Sequence, residues 1–293
     1  MSLKVKAMPA ILNTEIEPIE MRTDKGASAV ISLYGGHLLS WKPLPLGEEQ
    51  LYLSKTAVLD GSAAIRGGVP VLFPHFGAQK NSPNHGFARL NNWLCVARVR
   101  GQNSDTITLE LSASVETKRI WPAEFNLRLT VTLLDSSIQL AYQVTNSDDK
   151  EFSFSGGLHT YLATADISKT YIAGLEECAY IENGKRDLQR QVLVEISGET
   201  DRVYFTGDKR KPLLLISPAQ RILIESSGFT QTVVWNPWVE GAKQFNDMQD
   251  QDYLNMLCVE SVLASQKICL QPGQSWCGWQ SLEYQIEGAE DEK

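Results

Sequence analysis

The chain has 293 residues, of which 43 % are hydrophobic and 21 % charged, and 35 acidic against 27 basic side chains give a net charge of −8. This balance is ordinary for a soluble globular protein. It argues against a general nucleic-acid binder, which needs a basic surface, but not against a small anionic ligand, because a few placed arginines make a local positive site.

The opening stretch Met1–Ala7 lacks the apolar core of a secretory leader, and no run approaches the roughly 20 apolar residues of a membrane span. Neither a membrane nor nucleic acid is therefore an expected partner. Five cysteines stand singly at 95, 178, 258, 269 and 277, with no Cys-x-x-Cys pair. That speaks against a zinc knuckle or a redox pair and, without a leader, fits a reducing cytoplasm. Most of these thiols are expected to be small buried side chains.

The first segment with chemical interest is "AAIRGGVPVLFPHFG", Ala63 to Gly77. Arg66 precedes two glycines, which permit a sharp turn and close approach of a ligand. Pro70 and Pro74 fix φ and suit a rigid loop. A stiff loop presenting a guanidinium fits anion binding, since its planar fork can hold a phosphate with two hydrogen bonds; a surface arginine in a turn is the plainer alternative. Next comes "SPNHGFARLNNW", Ser82 to Trp93, which carries His85 and Arg89. Read as an extended segment, these two share a face roughly 13 Å apart at about 3.3 Å per residue. They suit a ligand with a polar end near His85 and an anionic end near Arg89, or else a histidine bonded to backbone and an arginine paired with a carboxylate.

Strand periodicity dominates the remainder. Thr106–Val115 and Phe125–Asp135 alternate apolar and polar residues, and Ser137–Asn146 follows so closely that the last two predict a hairpin. Lys211–Pro218, Arg221–Gly228, Gln231–Pro237 and Ser275–Glu287 read as further strands, rich in β-branched and aromatic residues. Helical patterning is poor. Its best stretch, Ala242–Leu254, is interrupted by Asp, Asn and Gln and predicts only one or two short turns. The pattern as a whole predicts an all-β protein, a large antiparallel β-sandwich or barrel with a few short helical turns. It divides most simply as one domain over residues 1–293, with "EGAEDEK" at 287–293 a frayed acidic tail.

Three further residues stand out within these strands. His159, in "SFSGGLHTYLAT", titrates near neutral pH and could move a proton, although a lone strand histidine also serves as a satisfied core or surface residue. Asp201 sits beside Arg202 in "ETDRVY", read as a short loop with a local ion pair. Glu260 lies in the apolar run "MLCVES". A carboxylate facing a cleft there would have its pKa raised by desolvation and could accept a proton near neutrality. Trp235 and Trp238 flank a proline and could line a sugar site or fill the core. The four histidines at 37, 75, 85 and 159 lack the close spacing of a metal motif, so no metal is expected. No Gly-x-Ser-x-Gly elbow and no Gly-x-Gly-x-x-Gly appear, so neither a serine nucleophile nor a nucleotide cofactor is expected.

In order, "RGGVPVLFPHFG", "NHGFAR", "GGLHTYL", "ETDRVY", "VVWNPW" and "MLCVES" resemble the hexose-6-phosphate mutarotases, or glucose-6-phosphate 1-epimerases. These belong to the aldose 1-epimerase branch of the galactose mutarotase-like superfamily. The resemblance runs over roughly residues 30–285. It implies a β-sandwich with a cleft on one sheet and a cofactor-independent exchange of the α and β anomers of a hexose 6-phosphate; a small sugar phosphate is the expected partner, and a monomer or weak dimer the expected assembly. It implies His159 as acid, Glu260 as base and His85 as a second histidine beside the ring, with acid and base facing each other across a pocket one pyranose wide. It implies Arg66 and Arg89 as substrate-binding arginines, Asp201 as the carboxylate for sugar hydroxyls, and Asn84 as an amide where relatives often carry glutamine. His75 departs from the tryptophan of many relatives and is left out of the site. A mutarotase of free aldoses and a non-catalytic sugar-binding sandwich are the alternatives.

Overall fold

Alternation with period two buries one face of a strand, and two such sheets must bury their apolar faces against each other. The computed structural model describes residues 16, 18–207, 211–218 and 220–285, so the acidic tail at 287–293 lies outside the described residues. In chain order the strands are β1 (Pro18–Arg22), β2 (Ser28–Ser32), β3 (His37–Lys42), β4 (Val71–Leu72), β5 (Leu94–Gly101), β6 (Ser104–Ser112), β7 (Phe125–Leu133), β8 (Ser137–Asn146), β9 (Phe152–Leu158), β10 (Tyr161–Ala163), β11 (Tyr171–Ala173), β12 (Ala179–Glu182), β13 (Lys185–Leu188), β14 (Leu193–Glu195), β15 (Thr200–Phe205), β16 (Leu213–Ile216), β17 (Arg221–Ser227), β18 (Gln231–Asn236), β19 (Met256–Leu270) and β20 (Ser275–Gln285). Nine of them form one sheet, β14-β11-β16-β17-β20-β8-β7-β6-β5. Eight form a second, β13-β12-β15-β18-β19-β9-β4, with β10 also paired to β19. The strands β1 to β3 make a small third sheet.

The two large sheets share one apolar core. Leu109, Leu129, Tyr142 and Leu282 of the nine-stranded sheet belong to the same buried cluster as Phe154, Val234, Val259 and Leu263 of the other. The ladders are antiparallel, and the expected hairpin is present: β7 and β8 pair from Phe125↔Asn146 to Leu133↔Ile138. Leu134 N–H closes the turn on Ser137 O at 2.8 Å.

The helical content is small, as the sequence predicts. A five-residue helix α2 spans Trp238–Ala242, and a 3₁₀ turn spans Asp252–Asn255; both touch the weak helical stretch read at Ala242–Leu254. Another helix, α1 (Val115–Ile120), replaces the end of the strand read as Thr106–Val115. Its signal is a capping box: Ser114 Oγ accepts from Thr117 N–H at 3.2 Å, and Thr117 Oγ1 accepts from Ser114 N–H at 2.8 Å.

Three other readings are corrected. "ETDRVY" is not a loop but the start of β15, where Asp201 pairs in register with Trp235. Arg202 forms its ion pair with Glu182, at 3.1 Å, rather than with its neighbour. The cysteines are not mostly buried: Cys258 is, whereas Cys95, Cys269 and Cys277 are exposed. Cys95 lies on β5, an edge strand exposed along its whole length, and being at a sheet edge is not visible in local composition.

Candidate active site

The cleft lies on the outer face of the eight-stranded sheet, a consequence of alternation. Val234 and Val259 point into the core, so Val233, Trp235 and Glu260 point the other way, into a cleft of about 360 Å³. Three irregular segments overhang this floor and contribute Arg66, then Asn84, His85 and Arg89, then Phe245. All seven residues singled out from sequence line it: Arg66, Asn84, His85, Arg89, His159, Asp201 and Glu260.

His159 and Glu260 are cross-strand neighbours. Leu158 pairs with Ser261 and Tyr161 with Cys258, so the same register sets His159 opposite Glu260. Side chains directly opposite on adjacent strands have Cβ atoms about 5 Å apart. His159 Nε2 lies 3.4 Å from Glu260 Oε1. The two groups therefore stand side by side on one wall, not across a sugar's width as the sequence reading supposed. His159 itself lies between β9 and β10 rather than within a strand, and its N–H donates to Pro70 O at 3.0 Å. Gly157 makes the close approach of β9 possible: its φ is +154°, and a Cβ there would stand 2.2 Å from Ser261 O.

Packing fixes both side chains. The His159 ring stacks on Tyr161, with centroids 4.6 Å apart and planes at 6°. It meets Trp235 edge-on at 6.0 Å and His85 at 5.7 Å. Glu260 is 2 % exposed and His159 7 %. Burial drives the His159 imidazole well below its usual range, reinforced by His85, Arg89 and Arg66. Burial drives the Glu260 carboxyl well above its range, reinforced by Asp201 and opposed by Arg89. Both directions favour an uncharged pair. His159 Nδ1 and Glu260 Oε2 have no protein partner.

His85 is not on an extended strand. It adopts φ +60°, and the chain then turns through Gly86 into a 3₁₀ turn over Ala88–Leu90. At Gly86 φ is +75°, and a Cβ would stand 2.0 Å from Phe73 O. This turn folds Arg89 back so that its Nη2 donates to Asn84 O at 2.9 Å. The His85 Nδ1 accepts from Gly77 N–H at 3.1 Å, which leaves the proton on Nε2 in the neutral ring. Burial, with Arg89, lowers its pKa to about 3. His85 is thus a fixed hydrogen-bond donor rather than a source of protons.

Arg66 is held rather than free. Its Nε donates to Asp247 Oδ1 at 3.1 Å, its Nη1 donates to Tyr161 Oη at 3.2 Å, and its guanidinium carbon lies 4.3 Å over the Phe245 ring. Arg89 Nε is buried without a partner. His75 is outside the cleft, and its ring bridges Gly77 O at 3.1 Å and Ser82 Oγ at 2.7 Å. Of the two tryptophans, Trp235 lines the cleft and Trp238 packs on Tyr253. Among the described residues, no group of three or more His, Cys, Asp or Glu is arranged to hold a metal, and no helix is long and apolar enough to cross a membrane.

The sequence reading missed Tyr161, Phe245 and Asp247. Period two from His159 would have put Tyr161 on the same face. Nothing local marks Phe245 or Asp247, which come from the loop between β18 and β19.

Comparison with known proteins bears on the family and the fold. A family model described as aldose 1-epimerase matches residues 17–283. A protein of Cenchrus ciliaris named "Putative glucose-6-phosphate 1-epimerase" is 34 % identical over 274 residues, covering 90 % of this chain and 83 % of its own. A protein of Escherichia coli K12 with the same name is 32 % identical, covering 81 % and 80 %. The crystal structure of a "putative mutarotase" from Salmonella typhimurium superposes with a TM-score of 0.83 at 27 % identity, covering 91 % of this chain and 90 % of that one. The fold is galactose mutarotase-like, and the chain belongs to the aldose 1-epimerase family.

Proposed function

We propose that this cleft interconverts the α and β anomers of a hexose 6-phosphate, with D-glucose 6-phosphate foremost. One observation carries the reading: a buried imidazole and carboxyl in contact at 3.4 Å, in the same cleft as two guanidinium groups, Arg66 and Arg89. The names of the curated relatives support the phosphate.

Opening a pyranose needs a proton taken from the anomeric hydroxyl and one given to the ring oxygen. Both oxygens are bonded to C1, so an acid and a base side by side suit them better than a pair separated by the ring. Glu260 as carboxylate takes the first proton, and His159 as imidazolium gives the second. Burial favours the uncharged form, with the single shared proton on Glu260. A phosphate dianion on Arg66 and Arg89 offsets two of the charges that disfavour the imidazolium. Neutralising Arg89 acts on both partners in opposite senses, whereas the Arg66 charge opposes only the imidazolium, so it is the contact with Arg66 that favours passage of that proton across the His159–Glu260 contact. Rotation about C1–C2 and reclosure with every transfer reversed gives the other anomer and restores the pair. His85 Nε2–H and Asp201 hold hydroxyl groups, and the phosphate supplies binding and orientation rather than chemistry.

A second reading, a mutarotase of free aldoses, is favoured by one contact: Arg66 is already engaged by Asp247, which leaves Arg89 as the ready cation. Anomer exchange followed by saturation-transfer NMR separates the two. The proposal expects faster exchange of glucose 6-phosphate than of glucose or galactose at equal concentration. Equal or faster exchange of the unphosphorylated sugars would overturn it.

A further inference from the structure

We propose that Gln280 is a positioning residue for the His159–Glu260 pair, acting from beneath the site across the sandwich. The inference rests on the reading of that pair given above.

Gln280 lies on β20, in the sheet opposite the one that bears the site, and is 0 % exposed. Its amide crosses the core and makes three hydrogen bonds. Oε1 accepts from Thr160 Oγ1. Nε2 donates to Ser261 Oγ at 2.9 Å and to Val259 O at 3.2 Å. The orientation of the amide follows from the partners: a backbone carbonyl only accepts, so the nitrogen must face Val259, and the oxygen is left for the Thr160 hydroxyl.

The location of these partners gives the amide its significance. Thr160 follows His159, while Val259 and Ser261 flank Glu260. Successive side chains point to opposite faces of a sheet, so the residues that project His159 and Glu260 upward project Thr160 and Ser261 downward, onto one amide. The ladder between these segments is interrupted: β9 ends at Leu158 and β10 begins at Tyr161. A direct backbone bond, Val259 N–H to Thr160 O at 3.0 Å, spans the gap, and Gln280 supplies a second tie from below. Thr160 and Ser261 are themselves 0 % exposed, so water cannot readily replace the amide. Within an apolar core, a side chain with all its donors and its acceptor in use fixes a geometry better than dispersion contacts alone.

The test uses Gln280→Met, which keeps length and removes all three bonds, and Thr160→Val, which removes one. Folding is checked by circular dichroism. With glucose 6-phosphate, Gln280→Met is expected to lower kcat about tenfold or more with KM little changed, since a misplacement of about 1 Å can cost on the order of 100-fold. Thr160→Val is expected to fall between it and the parent, and carries the test if Gln280→Met does not fold. In a Glu260→Gln background, where no pair remains to be aligned, Gln280→Met is expected to cost no further kcat. A parental kcat in the folded single variants, or the same loss in both backgrounds, overturns the proposal. If the parent exchanges no sugar phosphate, the functional reading fails separately. The ¹H–¹⁵N signals of the His159 ring, identified by their loss in His159→Asn, then decide the role of Gln280. A shift between parent and Gln280→Met supports it, and unchanged signals refute it.

Discussion

Replacing Arg89 by methionine isolates the proposed phosphate contact. The variant keeps a long apolar stem in a half-buried position and removes the charge. Arg89 donates one hydrogen bond within the protein, Nη2 to Asn84 O at 2.9 Å, while its buried Nε has no partner. The remaining N–H of Nη2 and those of Nη1 could donate to a phosphate, giving two charge-assisted bonds. At about 1.5–3 kcal/mol each, their loss amounts to roughly 3–6 kcal/mol, on the order of 10²- to 10⁴-fold in kcat/KM. Because the cleft is open to water, the lower end is expected. The assay is anomer exchange by NMR for glucose 6-phosphate and for glucose, run side by side on parent and variant. The phosphorylated sugar is expected to lose about 100-fold, and glucose to show no comparable loss. Equal losses for the two sugars would mean that Arg89 supports the ring site or the fold, and the phosphate argument would fail.

Glu260→Gln is expected to lower kcat by roughly 10²- to 10⁴-fold without lowering thermal stability. Burial raises the Glu260 pKa in the folded protein, so its stabilisation is complete below the unfolded carboxyl pKa and is lost as pH rises toward the folded one. The stability advantage of glutamine should therefore grow with pH, and calorimetry at pH 6 and 9 that found no such trend would contradict the assigned environment. His37 is fully buried, with Nε2 2.7 Å from Gly67 O, and burial lowers its pKa from 6.5 to about 4. A depressed folded pKa gives stability that is present above pH 6.5 and lost as pH falls to about 4, here roughly 3 kcal/mol. His37→Gln, which can still donate to Gly67 O, is expected to flatten that acid limb in urea titrations, whereas parallel limbs would refute the assignment. Gly157→Ala is expected to destabilise by more than about 2 kcal/mol, because its Cβ would meet Ser261 O at 2.2 Å; a denaturant midpoint unchanged from the parent would count against this.

Much of this molecule is legible in its sequence because sheets write a period of two. β7, β8, β17 and β18 emerge within a residue or two of the alternating runs, and the hairpin between β7 and β8 follows from the shortness of its linker. Glu260 is conspicuous because a carboxyl in an apolar run requires a reason. The failures have physical causes too. Strand spacing separates His85 and Arg89, but the positive φ at His85 and Gly86 turns the chain, and tertiary contacts rather than local composition impose that turn. Asp201 reads as a loop residue because its polar neighbours resemble one, yet pairing with β18 makes it a strand. The partner of Arg66 is Asp247, 181 positions away. Gln280 is similarly silent, since nothing near it in the chain refers to Thr160 or Ser261.

The His159–Glu260 pair is fixed by the register of neighbouring strands, whereas the cations and the Phe245 wall come from segments outside that ladder. This separation makes the scaffold modular. Grafting a different set of overhanging segments onto the same strands offers a route to changing what fills the far end of the cleft, while leaving the His159–Glu260 pair as it is.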